Sequence, residues 1–377
     1  MKRSPIIDFI RFFSFFVVVG GHFYPSWFAS LTNSLVLRKT LLFIFLHGSC
    51  GLICFYTVSG YLITQLMVQN IADLSRVDLK SFYVRRFARI FPLLLMVVLV
   101  GYGLEHVVKF LDGNWQKYDP WRETTHFGRY FWLSLFSLNF NWYLVYQHDD
   151  GMQWKILWSL AVEEQFYLSY PLIVKLLGRR QRVLVFLTAV VLSGLIFMFG
   201  AITILKSNVE ILNFASFGSF GTIAIGGILY FMNEKWESHI EKSNVIAPML
   251  FFLGVSGGLY VFAGIPCDPV FHYVCFSSIM AISCALVILG GLHLPLFNSK
   301  IAQILSWPGK LSYGCYLWHP TIMFLMMPVL VALGHWEICL YLIVAVILFS
   351  FISYRFFEVP ANRWIRVRFK IKPSTTA

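Results

Sequence analysis

Residues 156–177 read ILWSLAVEEQFYLSYPLIVKLL. A helix of that length crosses about 30 Å of hydrocarbon, yet Glu163 and Glu164 stand near its middle. A charge held at depth in a bilayer costs about 3 kcal/mol or more, so such groups usually face a shared interior and carry function. The pattern recurs along the chain. His22 ends the first hydrophobic segment, Arg86 and Arg89 open the third, and His319 sits inside the ninth.

The composition agrees. The 377 residues are 58% hydrophobic and 13% charged, with a mean hydropathy of +0.70; a soluble domain carries about 25% charged residues. The expected fold is all-α and polytopic, with about ten transmembrane helices. They fall near 6–28, 41–66, 88–108, 156–177, 183–204, 212–232, 246–264, 271–292, 312–333 and 338–357. A single integral-membrane domain takes up 1–377, its core at about 6–360 and a basic cytoplasmic tail at 361–377. Met1-Lys2-Arg3 and the apolar run after it imitate a signal peptide. No small-x-small cleavage site follows, which reads as an uncleaved first span. The seven cysteines form no metal-like cluster and read as small hydrophobes.

Net charge is +12, from 30 Lys plus Arg against 18 Asp plus Glu. In a soluble chain that balance would raise nucleic acid as a partner. Here the basic residues sit at helix ends, where orientation is the simpler cause. With the N-terminus inside, the inner loops and tail hold nineteen of the 30, which predicts both termini in the cytoplasm. The stretch Arg363 to Lys372 also suits anionic lipid headgroups. Residues 130–147 are aromatic and only moderately apolar, and read as a half-inserted or interfacial element on the outer side. Asn139, Asn141, Asp149 and Asp150 suit a wet cleft there.

Each polar group has two readings. His22 follows Arg11 by eleven residues, roughly 16 Å along a helix. Neutral imidazole is a natural base for a hydroxyl proton; an interfacial histidine bonded to a neighbouring helix is the alternative. Arg86 and Arg89 share a face at i,i+3. They read as inner-side anchors or as a grip on a phosphate-rich ligand, while Arg85 points elsewhere. Glu163 belongs to a stripe with Ser159 and Tyr167 at i,i+4, and Glu164 should pair elsewhere, with a basic residue or a headgroup amine. Ser312, Tyr316 and His319 share another face. Pro320 frees a backbone carbonyl that His319 or a water can recover, so His319 reads as structural or as a proton carrier. Ser59-Gly60 reads as packing, and Arg355 with Glu358, at i,i+3, as an ion pair.

Five segments together resemble the acyltransferase-3 family of integral-membrane O-acyltransferases. They are Ile10-Arg11 through His22; FYTVSGYLI at 55–63; RRFARIFP at 85–92; WSLAVEEQFYLSYP at 158–171; and LSYGCYLWHP at 311–320. Tyr56 and Tyr61 replace the usual phenylalanines, and the outer hydrolase-like domain of some members is not found in these 377 residues.

The resemblance implies an acyl-CoA-dependent O-acetyltransferase of the bacterial inner membrane. The donor is a cytoplasmic acyl-CoA, usually acetyl-CoA, so that an acetyl or short acyl group is moved, and no metal is required. The acceptor is a hydroxyl of a glycan or lipid-linked saccharide, and a homo-oligomer is compatible with it. His22 matches the essential histidine, oriented by an acidic or carbonyl partner. Glu163 and His319 complete the catalytic candidates. Arg86 and Arg89 match the donor-binding arginines, with Arg11 beside them. A glycan or lipid-linked sugar transporter is the competing reading, although no internal repeat supports it.

Overall fold

The computed structural model describes residues 4–22, 34–35, 39–40, 43, 47–69, 71–111, 128–146, 152–203, 211, 214–263, 275–333 and 338–371. Every long element among them is a helix, and no strand occurs among the described residues. The helices are α1 Pro5–His22, α2 Gly48–Val68, α3 Leu79–Leu111, α4 Arg129–Phe136, α5 Phe140–Tyr146, α6 Met152–Lys155, α7 Leu157–Leu177 and α8 Arg180–Thr203. They continue with α9 Ser216–Glu241, α10 Ile246–Phe262, α11 Ser277–His293, α12 Lys300–Ser306, α13 Ser312–Leu333, α14 Ile338–Ser353 and α15 Val359–Arg368. Five segments are long and apolar enough to cross a membrane: α1, α2, Leu79–Val107, α8 and Tyr341–Arg368. The apolar α10 and α11 are shorter, at 17 residues each. The residues expected at 23–28 of the first span, Asp149 and Asp150, and Lys372 lie outside the described residues.

Burial separates inner helices from outer ones. In α2, 67% of the apolar window is buried, against 22% in α8. Val185 and Ile196 of α8 are 70% and 72% exposed. Apolar surface of that extent is a liability in water and suits a lipid environment. The central α2 packs against α1, α7, α9 and α11.

Its seam with α9 depends on two glycines. A Cβ on Gly60 would lie 1.8 Å from the Ile223 carbonyl oxygen, and one on Gly226 would lie 1.9 Å from that of Thr57. Small residues let helix backbones approach in lipid, where van der Waals packing drives association. Gly60→Ala forces backbone apart rather than moving a flexible tip. Its expected cost is about 3 kcal/mol, the upper end of ordinary overpacking. Thermal unfolding in detergent, followed by loss of the monodisperse peak, measures it; an unchanged midpoint would show that this contact is not tight.

The third helix starts well before the expected residue 88. Asp78 is the reason: its carboxylate accepts from the Ser81 backbone N–H at 3.1 Å and from the Ser81 hydroxyl at 2.5 Å. A capped amide stabilises the first turn, so Arg85, Arg86 and Arg89 lie inside the helix rather than at its mouth. The Ser81 bonds hold the Asp78 carboxyl below its usual range. A depressed folded value means that the contribution is present above the unfolded pKa, about 3.9, and disappears as pH falls through the folded one. Asp78→Ala should therefore lower stability by about 1 kcal/mol at pH 7, and the difference from wild type should close below about pH 4. Melting curves from pH 7 to pH 3 test both parts.

Of the stretch 130–147, the described residues 130–146 do not form one continuous helix. Leu138 takes a left-handed φ of 59° and breaks the stretch into α4, of eight residues, and α5, of seven. At 1.5 Å per residue each is roughly 12 Å long or less, too short to cross hydrocarbon. Asn141 anchors the pair to the bundle: Gln165 Nε2 donates to its Oδ1 at 2.9 Å, and its own Nδ2 donates to Ser216 Oγ at 3.0 Å. Cys50, Cys54, Cys284 and Cys315 are buried, unpaired core residues.

Candidate active site

α7 contributes a polar stripe. Ser159, Glu163 and Tyr167 recur every fourth residue and so face one way. Glu163 Oε1 accepts hydrogen bonds from Ser59 Oγ of α2 and from Tyr167 Oη. The half-buried carboxyl group is thus held by two hydroxyl donors, as a polar group inside an apolar bundle should be. Arg86 of α3 lies over the Tyr167 ring, its guanidinium carbon 4.2 Å from the centroid. A cation on an aromatic face is worth about 0.5 to 2 kcal/mol, depending on how far it is desolvated, and Arg86 is half-buried. At the other end of the stripe, Ser159 Oγ lies 2.5 Å from Tyr316 Oη of α13, and Tyr56 Oη donates to the Ser159 carbonyl at 3.1 Å.

These groups border one shared cavity. Arg11, Arg86 and Arg89 all line it, with Ser59, Glu163 and Tyr316. About 80 Å³ of it is open to a water-sized molecule. Three guanidinium groups face it against one carboxylate, so the lining favours an anion. Arg11 is steadied by Asp8, 4.0 Å away and 3% exposed. Sequence reasoning passed over Asp8, though its signal was present: an acid three residues before a basic residue in an apolar run.

The two histidines meet each other. Their rings are nearly parallel, 9° apart with centroids 5.0 Å apart. His22 Nδ1 is 2.8 Å from His319 Nε2, and His319 Nδ1 is 2.6 Å from the Tyr316 carbonyl oxygen. Pro320, lacking an N–H, leaves that same carbonyl without its helical donor. A carbonyl only accepts, so His319 carries its proton on Nδ1. In the neutral pair His319 Nε2 then accepts from His22 Nδ1–H, and His22 Nε2 keeps its lone pair. The partner that orients His22 is thus an imidazole, not the expected acid or carbonyl. No spacing could show this, because the pair spans 297 residues. His22 does not itself line the cavity; Tyr316 does, and it links the cavity to the histidines.

Other residues fall elsewhere. Arg85 Nε donates to the Ser81 carbonyl at 3.1 Å, away from the cavity. Glu164 borders a second, mainly apolar cavity of about 310 Å³ on the far side of the Arg86–Tyr167 stack. Its Oε1 is buried without a hydrogen-bond partner, so the expected pairing to a basic residue is not made through that oxygen. The expected Arg355–Glu358 ion pair does not form: a π-helical turn, Tyr354–Glu358, separates the two directions, and Arg355 is exposed.

The comparisons with known proteins bear on the family of the chain. The acyltransferase-3 family model, described as an acyltransferase domain, matches residues 5–355. The chain is 26% identical over 384 residues to the O-acetyltransferase OatA of Staphylococcus aureus, covering 96% of this chain and 58% of OatA. A putative O-acetyltransferase of the same species is 24% identical over 386 residues, with the same coverage of 96% and 58%. The chain thus spans less than two thirds of the length of these relatives. No solved structure matches. The match runs through all five segments that build the cavity and the histidine pair, and the chain belongs to the acyltransferase-3 family.

Proposed function

We propose that the protein is a ten-span O-acyltransferase of the bacterial inner membrane, both termini cytoplasmic. It moves an acetyl group from acetyl-CoA to a hydroxyl of an envelope glycan or lipid-linked saccharide. The observation that carries this reading is one cavity lined by Arg11, Arg86 and Arg89 and joined through Tyr316 to the His22–His319 pair. Arginine forks suit phosphate oxygens. In this reading the nucleotide of the donor stays at the inner mouth, gripped by the arginines, while its linear thiol-bearing arm threads inward. The relatives' printed activity, O-acetyl transfer, supports the same class.

The chemistry follows from the proton positions. His22 Nε2 takes the proton of the acceptor hydroxyl. The oxygen attacks the thioester carbonyl, the C–O bond forms and the C–S bond breaks. The CoA thiolate leaves and recovers the proton from His22. His319 touches neither substrate; it fixes the tautomer and tilt of His22 and shares the transient positive charge. Glu163 holds Tyr167, and so the Arg86 platform, rather than the reacting atoms.

The test uses the purified full chain in nanodiscs with acetyl-labelled CoA and candidate envelope glycans. Label appearing in an alkali-labile ester on the glycan supports the reading. Intact glycan crossing the bilayer with no thioester turnover would instead establish a transporter.

A further inference from the structure

The second cavity is not used by the reaction. Its volume is about 310 Å³, at the small end of ligand sites, which run from about 300 to 1,000 Å³. The lining extends along α3 from Phe82 to Val98, roughly 24 Å at 1.5 Å per residue. An elongated wall of that kind suits a chain better than a compact ring. Leu135 and Phe136 of α4 and Tyr167 and Leu168 of α7 complete it, and the α4–α5 pair turns at Leu138, itself on the cavity wall.

Two features define what fits. The first is the mouth. Phe87, Phe136 and Leu168 line the cavity and are also exposed, so it opens on an apolar surface. Phe87 belongs to a segment apolar enough to span a membrane; a ligand entering beside it arrives from hydrocarbon, not from water. The second is an orphaned atom. Glu164 lines the cavity, and its Oε1 is buried without a hydrogen-bond partner. Buried polar atoms are ordinarily paired, and an ionised carboxylate only accepts, so its complement is an N–H or O–H. The wall to the first cavity is shared: Arg86, Ile90 and Tyr167 line both, with the Arg86 guanidinium carbon 4.2 Å from the Tyr167 ring centroid. An arm lying in the first cavity is screened from the second by that stack.

We propose that this cavity binds the hydrocarbon chain of a bilayer lipid whose polar end donates a hydrogen bond to Glu164. The site does not depend on the donor role given to the arginines above, so a failed donor assay leaves it standing.

The experiment photolabels the full chain in nanodiscs of phosphatidylcholine, whose headgroup has no N–H or O–H. The probe is a fatty alcohol of dodecanol length with a diazirine at mid-chain, and labelled peptides are identified by mass spectrometry. Label should appear on α3 around Leu94 and Leu95 and on α4 around Leu135, and should saturate as the probe rises. Unlabelled dodecanol should displace it at about a tenth of the concentration that dodecyl methyl ether needs, the scale of one hydrogen bond to a charged group. Glu164→Leu should erase that preference. Leu94→Trp, which fills the cavity, should abolish the saturable label, while Val185→Trp on the exposed face of α8 should match wild type. The competition on wild type carries the test even where a variant does not accumulate. Label that rises without saturating, as expected at the exposed Val185 and Ile196, overturns the inference. Equal displacement by alcohol and ether overturns it too. Displacement by dodecanoyl-CoA and not by dodecanol also overturns it, and assigns the cavity to the acyl chain of the donor.

Discussion

Replacing His22 with alanine is expected to lower acyl transfer by about 10²- to 10⁴-fold, the range of a lost general base, with donor KM close to wild type. The geometry makes His22, and not His319, the group with a free basic nitrogen. His319 spends Nδ1–H on the Tyr316 carbonyl at 2.6 Å and Nε2 on His22 at 2.8 Å. His22 spends only Nδ1, so Nε2 remains to take a proton. His319→Ala should therefore cost less than His22→Ala, because the base survives in a mixture of tautomers and tilts. The two losses should not add, since they act on one unit. Single-turnover transfer of labelled acetyl, with coenzyme A binding measured in parallel, separates chemistry from binding. Equal transfer by His22→Ala and wild type would remove imidazole from the reaction.

The second large effect is expected at the donor end. Arg86→Ala and Arg89→Ala should each raise the KM for acetyl-CoA by about 10- to 100-fold, the equivalent of losing a charge-assisted hydrogen bond worth about 1.5 to 3 kcal/mol. Arg86 has a second consequence. Its guanidinium lies over Tyr167, whose hydroxyl is bound by Glu163, so its loss also loosens the wall between the first cavity and the apolar one behind it. Arg86→Lys should rescue poorly, because an ammonium neither forks to phosphate nor stacks on a ring as a guanidinium does. Arg85→Ala, whose side chain turns to the Ser81 carbonyl, is the matched control and should leave donor KM unchanged. Initial rates over a range of acetyl-CoA at saturating acceptor decide the matter. A donor KM insensitive to both Arg86 and Arg89 would place the phosphates elsewhere.

Much of this was legible before any coordinates, for a physical reason. Lipid makes hydropathy informative: backbone groups must pair within their own helix, so apolar runs report helices, and each expected segment overlaps a helix among the described residues, although the bounds shift and five segments are long and apolar enough to cross a membrane. The same cost made Arg11, Arg86, Arg89, Glu163 and His319 conspicuous as polar groups in apolar surroundings. Helical periodicity then gave the Ser159–Glu163–Tyr167 stripe, because neighbours four residues apart share a face. Local chemistry also foretold the freed carbonyl next to Pro320.

The sequence by itself thus determined what obeys short-range rules: the helical class, the family, which polar residues are costly, and which of them share a helix face. Only the tertiary structure decided which faces meet. It brought His22 to His319 across 297 residues, gathered three arginines from two helices around one cavity, and started α3 at its Asp78 cap. It also turned Glu358 away from Arg355 through a single π turn. Contacts between helices depend on crossing geometry and close approach, as at Gly60 and Gly226, and no periodicity within one helix encodes the partner on another.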